Sequence, residues 1–338
     1  MASLKREADD GGPDSSKTGK KVKLHDDDPR PLTLKAKASK FQGCDDNDMR
    51  DVFEKLSSSI SNFALEHFKG APYATPRKKD QKIFERLVAN DDFRAYLTSK
   101  QRGAKPWIIQ AVIWNKLIDQ LLLTPTKAGN NPILDLRQVT MMYYERIFLI
   151  SIHTDAPEEF YAWRTLTANL LSNYCKDPTS WGESGPRREE FLEEMVALLL
   201  DHAVERDPEA LNEGLNEIAD NAFELAKAMA CCRAFWLCTM KDPRINSLHD
   251  FRIKTDSMEE VELWNEEGAY SKSVIVDLVA APMLLKNGNS KGANYGTFHV
   301  FKKAQVITKA KGDEDEIVDL DGDDGDVWKE GIKGRRTA

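Results

Sequence analysis

Hydrolytic, metal and phosphate chemistry each need particular side chains at particular spacings, so the chain is read first for those. None of its six histidines lies in a His-Glu-x-x-His array or follows a glutamate by three positions, which excludes the helical metal-ligand patterns. Gly288, Gly292 and Gly296 recur every four residues with no Gly-Lys-Ser/Thr, so their N–H groups do not form a phosphate cradle. Gly182-Glu183-Ser184-Gly185 lacks the second spacer of a nucleophile elbow. His153 with Asp155 offers a base and an orienting acid but no nucleophile. Glu189, Glu190, Glu193 and Glu194 read as one solvated helix face with no histidine at ligand spacing. The run Asp319 to Glu330 approaches a calcium loop, but its turn glycine is displaced to Gly325. No catalytic residue, metal ligand or cofactor is nominated. Cys44, Cys175, Cys231, Cys232 and Cys238 include no Cys-x2-Cys pair, and the odd number fits reduced, buried thiols in an intracellular protein.

Chemistry of recognition is better represented. The tetrad Ile-Val-Asp-Leu occurs twice. At Ile275 to Leu278 it belongs to the apolar run Val274 to Ala281, which reads as a buried strand. At Ile317, Val318, Asp319 and Leu320 it stands among acids, with Asp313, Glu314, Asp315 and Glu316 before it and Asp321 after. Apolar side chains in an extended acidic segment can add a strand to a partner's sheet, while the acids meet basic groups beside its groove. This second copy resembles a SUMO-interacting motif, and the resemblance implies a small ubiquitin-like modifier, or a protein carrying it, as partner. Leu4-Lys5-Arg6-Glu7 and Ile253-Lys254-Thr255-Asp256 resemble acceptor sites for the same modifier. Lys5 and Arg6, a ten-residue spacer, then Lys17, Lys20, Lys21 and Lys23 resemble a bipartite nuclear localisation signal, which implies an import receptor and a nuclear location.

A third signal is a charge gap. No acid occurs between Asp277 and Asp313, whereas Lys286, Lys291, Lys302, Lys303, Lys309 and Lys311 do, with Tyr295, Phe298, His299 and Phe301 among them. Lysines interleaved with aromatics can hold phosphates while stacking bases, so nucleic acid is the alternative partner, with the acidic tail masking the segment. Strand alternation gives the competing account, aromatics inward and lysines outward.

These segments need a frame. Residues 1–45 show no apolar period, and residues 1–40 hold ten Lys/Arg against seven Asp/Glu. Residues 311–338 hold five against ten. Both read as disordered tails, one basic and one acidic. Between them, Met49, Val52, Phe53, Leu56, Ile60, Phe63 and Ala64 repeat at three and four, the mark of an amphipathic helix ending near Gly70. Shorter patterns carry Ile83, Phe84, Leu87 and Val88, then Phe93, Tyr96 and Leu97. Pro106 opens an apolar helix from Trp107 to Leu123, too broken by polar residues to span a membrane. Further helices are predicted over 134–153, over Glu158 to Tyr174, and from Pro186. Leu211, Leu215, Ile218, Ala222, Leu225, Met229, Cys232 and Trp236 alternate in fours and threes, predicting one long helix whose stripe is a bundle seam or a homodimer contact.

Beyond about residue 244 the β-formers in "VELW", "SVIVDLVAA" and "GTFHVFKKAQVIT" predict strands. The fold expected is mainly α: a multi-helix, bundle-like domain over 46–310 with a small β-rich carboxyl-terminal element. Through the Trp107 to Leu123 helix and "PMLLKNGNSKGANYG" the chain resembles, from about Asp48 to Lys309, a set of uncharacterised α-helical proteins of filamentous fungi, which implies no activity. The function expected is a nuclear, non-enzymatic interaction or adaptor protein. Nucleic-acid binding comes second and an enzyme of unrecognised type third.

Overall fold

The computed structural model describes residues 45–89, 93–98, 104–122, 156–174, 186–241, 247–264, 274–295 and 298–310. The import-like residues Lys5, Arg6, Lys17, Lys20, Lys21 and Lys23 lie outside them, as do the acidic tetrad at Ile317, Lys311, and the helix expected over 134–153.

Helix α1 (Asp46–Phe68) starts where a reciprocal cap satisfies its first N–H groups. The Asp45 carboxylate accepts from Asn47 N and Asp48 N at 2.8 and 2.9 Å, and Asp48 accepts from Asp45 N at 3.0 Å. Met49, Leu56, Ile60 and Ala64 on its apolar face are fully buried. Two short helices follow, α2 (Lys78–Glu85) and α3 (Phe93–Thr98), and then α4 (Ala104–Leu117), which a π turn extends over Ile118–Leu122. The all-round apolar character of α4 makes it central: Ile108, Ile109, Ala111, Val112, Ile113 and Trp114 have no exposure.

Helices α5 (Ala156–Tyr174) and α6 (Pro186–Leu199) lead into α7 (Pro208–Cys231). Asp207 caps α7 by accepting from Glu209 N at 2.9 Å, and Pro208 fills a first-turn position where no N–H is needed. The stripe from Leu211 to Met229 is buried against α1, α5 and α6, so it is an internal seam.

The expected long helix is corrected at its end. Cys232 turns to extended backbone (φ −77°, ψ 147°), and Trp236 lies instead on strand β1 (Phe235–Thr239). Three side chains of α5 take the carbonyls released at that point, which makes the stop stable without a glycine cap. Asn169 Nδ2 donates to Cys231 O at 3.4 Å, Thr165 Oγ1 to Cys232 O at 3.0 Å, and Arg164 Nη2 to the carbonyls of both Cys232 and Ala234.

The β-rich part is also larger and earlier than expected. Six strands form two three-stranded sheets: β1 (Phe235–Thr239), β4 (Met283–Asn287) and β5 (Phe298–Lys302) in the order β1-β4-β5, and β2 (Met258–Trp264), β6 (Ala304–Ala310) and β3 (Val274–Ala281) in the order β2-β6-β3. All neighbours are antiparallel except β2 and β6. Strand β3 spans the expected run Val274 to Ala281, β4 follows it beyond the expected strand, and the run expected as one strand in "GTFHVFKKAQVIT" is cut into β5 and β6. Pro282 separates β3 from β4 because it has no N–H for a ladder, and Lys303 separates β5 from β6. Each break moves the chain from one sheet to the other. With these sheets beside seven helices among the described residues, the fold is mainly α with a substantial β part.

Candidate functional site

The first Ile-Val-Asp-Leu copy sits in β3 as the sequence implies. Val276 and Leu278 are fully buried, Ile275 nearly so, and α4 packs on the strand. Asp277 is the surprise, because it is buried too. Pairing runs from Val276↔Thr308 directly to Leu278↔Ile307, so Asp277 is the extra residue of a bulge. Its Oδ2 accepts from the buried Tyr96 hydroxyl at 2.6 Å. Its Oδ1 stands 2.7 Å from Lys309 Nζ, off the hydrogen-bonding direction, so attraction between charges holds that side. The Tyr96–Asp277–Lys309 group ties α3, β3 and β6 together. It has the residue types of proton-transfer chemistry, but every partner in it faces another member.

The lysines of the charge gap come to different ends. Lys286 Nζ lies 2.6 Å from both Asp46 oxygens and over the Trp236 ring at 5.3 Å. Lys302 pairs with Glu54, and Lys303 donates to the Thr255 carbonyl. Lys309 is held by Asp277. Acids of α1, distant in sequence, therefore meet the cations of β4 and β5, and Arg50 covers Phe301 at 5.2 Å. The charge gap is complemented within the chain, which removes much of the electrostatic basis for phosphate binding by Lys286, Lys302 and Lys309. Lys291 differs: it is exposed on the β4–β5 loop, and no carboxylate among the described residues pairs with it.

Two further polar groups are deeply buried. Arg164 on α5 lies over the Tyr161 face at 5.0 Å and on the carbonyls that end α7. Burial lowers its pKa, and no carboxylate among the described residues answers it; the negative end of the α7 dipole and the ring face do. Its Nε is buried without a partner. His202, just after α6, is 1% exposed, and burial pushes its pKa down to about 4, with the Lys105 charge adding to the effect. Lys105 itself donates to the carbonyls of Ala71 and Pro72 at 2.9 and 2.7 Å, and desolvation lowers its pKa.

Tyr96 and Arg164 escape a motif search, yet Arg164 leaves a trace. Tyr161, Arg164, Thr165 and Ala168 recur at the spacing of a buried helix face, so a cation among them marks a polar group taken into the core. Tyr295 is held by its neighbours: its hydroxyl donates to Arg233 O at 2.6 Å, and its ring stacks on Tyr161 with centroids 4.4 Å apart. Burial raises its pKa. The loop needs glycine at 288, where φ is +82° and a Cβ would come within 2.4 Å of the Tyr295 ring.

Among the described residues no group of three His, Cys, Asp or Glu could hold a metal ion, and no helix is long and apolar enough to cross a membrane. No family model matches the chain, and neither a curated protein nor a solved structure matches it.

Proposed function

We propose that the protein is a nuclear, non-enzymatic interaction protein that binds a small ubiquitin-like modifier through Ile317, Val318 and Leu320, with Asp313 to Glu316 and Asp319 as flanking charge. The contrast between the two tetrads supports this reading. In β3 the four residues are core, with Asp277 held by Tyr96 and Lys309. At Ile317 the same four residues are set in acids, the composition of a strand that a partner completes. Lys5, Arg6, Lys17, Lys20, Lys21 and Lys23 supply the address to the nucleus.

The helical body, on this reading, is a scaffold. Its buried charged groups support that view, because they close helix ends or pair with one another. Arg164 and Asp277 are engaged in this way, and Lys105 holds the carbonyls of Ala71 and Pro72 in the segment after α1. Titrating labelled modifier into the full chain tests the proposal. Three apolar side chains entering a groove, offset by ordering of the tail, give an expected Kd of about 10–100 μM. Changing Ile317 and Val318 to Ala abolishes binding and leaves the melting temperature in place. Changing Ile275 and Val276 to Ala lowers stability by about 2–5 kcal/mol. Equal binding by the Ile317/Val318 variant and the parent would sink the proposal.

A further inference from the structure

Trp163 on α5 is 39% exposed, and Leu170, two turns further on, is 52% exposed. Trp163 is the outer end of a run of rings that enters the molecule. Centroids step from Trp163 to Phe160 at 5.7 Å, from Phe160 to Tyr161 at 5.5 Å, and from Tyr161 to Tyr295 at 4.4 Å, the last pair stacked within 22°. Three cations surround the inner stack. Arg164 lies over Tyr161, Arg233 donates to the Lys291 carbonyl at 3.1 Å and accepts the Tyr295 hydroxyl on its own carbonyl, and Lys291 is exposed on the loop beside them. No carboxylate among the described residues pairs with any of the three, in contrast to Lys286, Lys302 and Lys309. Glu158 is the acid whose charge acts on Tyr295.

We propose that this end of the molecule binds single-stranded nucleic acid, with a base stacked on Trp163 and phosphates against Lys291 and Arg233. Trp163 offers one exposed ring, and Lys291 and Arg233 offer cations that no carboxylate among the described residues pairs with, which a single strand can use because every base has a π face and every link a negative charge. A purely apolar partner would use Trp163 and Leu170 but leave the cations unanswered. The inner end of the ring run is already fixed, because Tyr295 is held by its hydroxyl, by stacking, and by the close approach of Gly288. Little of the binding energy then goes into arranging it. This inference is independent of the modifier-binding reading. It moves the nucleic-acid contact from the lysines paired within the fold to a surface that includes residues far from them in sequence.

Fluorescence anisotropy of a dye-labelled oligothymidylate of about 12 nucleotides, titrated with the full chain, tests it. Trp163→Ala is expected to weaken binding about tenfold, the loss of one stacked base, without moving the melting temperature of this exposed site. Lys291→Glu weakens it several-fold and lowers the salt slope by about one between about 50 and about 200 mM. Glu158→Gln tightens it, because an opposing charge is removed. Lys286→Met and Lys302→Met leave it unchanged. Absence of binding by the parent overturns the proposal, and so does a Trp163→Ala protein that binds as the parent does. Equal losses from Lys286→Met and Lys291→Glu would overturn it too, by showing diffuse charge attraction instead of a site. A parent that ignores the oligonucleotide but forms a dimer broken by Trp163→Ala would assign the face to a second copy.

Discussion

Two groups of cations in this fold are compensated in opposite ways. Along β4, β5 and β6, Lys286, Lys302 and Lys309 each meet a carboxylate, from Asp46, Glu54 and Asp277. Where α7 ends, Arg164 meets carbonyl groups and a ring face, and Lys291 on the β4–β5 loop has no acid among the described residues. The first arrangement turns a charge gap in the sequence into ion pairs, two between α1 and the sheets and one between β3 and β6. The second buries one cation on carbonyls and a ring face and leaves the other exposed on the β4–β5 loop. Local sequence charge is thus a poor guide to surface charge, because the compensating group comes from wherever the fold brings it. His202 shows a further solution, in which a buried base simply gives up its proton.

The largest effect is expected where the acid–base pairing is most buried. Asp277→Ala leaves the Tyr96 hydroxyl without its acceptor and Lys309 without its counter-charge, which costs about 3–5 kcal/mol in denaturant unfolding. Asp277→Asn keeps an acceptor for Tyr96 and loses only the charge, so its cost is smaller. Equal costs for the two would mean that Lys309, and not Tyr96, sets the energetics of the bulge.

Much of this arrangement was legible and some was not, for a physical reason. The apolar face of α1 follows from period alone, because a helix face is a local pattern, and the burial of α4 follows from its apolar content. The end of α7 does not. Leu225, Met229, Cys232 and Trp236 keep the helical spacing past Cys231, while the side chains that stop the helix come from α5. Strand pairing is non-local in the same sense. The run ending at Ala281 was readable, but that the chain passes after it from one sheet to the other depends on partners elsewhere. The buried setting of the first tetrad was readable from its apolar flanks. The Tyr96 hydroxyl that meets Asp277 was not, since nothing in the two segments announces the contact.

His202 supplies the next effect in size. Its folded pKa of about 4 lies below the ordinary 6.5. Between those values the unfolded chain takes up a proton that the folded chain refuses, so stability falls as pH drops from about 6.5 to about 4 and levels off below. The total is about 3 kcal/mol. His202→Phe, which places a ring beside Phe84 where the imidazole now stands at 5.5 Å, removes that part of the acid sensitivity. Denaturant midpoints of parent and variant should run parallel above pH 6.5 and converge or cross below it. Parallel curves throughout would mean that His202 takes up its proton at the same pH in the folded chain as in the unfolded one.

The smallest effect separates the two cation groups most directly. Lys286→Met keeps the aliphatic stem against Trp236 but removes the ammonium from Asp46 and from the ring face. Asp46 is half-exposed and also sits in the first turn of α1, where the helix dipole already favours its charge. The lost pair is therefore worth no more than about 1 kcal/mol, and less in strong salt. Lys291→Met removes a charge that no acid among the described residues meets, so it should leave stability unchanged at any salt concentration. Thermal melts of both variants at low and high salt decide between the accounts. If Lys291→Met also destabilises, and salt erases the loss, the exposed lysine has an acid partner in the folded chain and the two groups of cations are compensated alike.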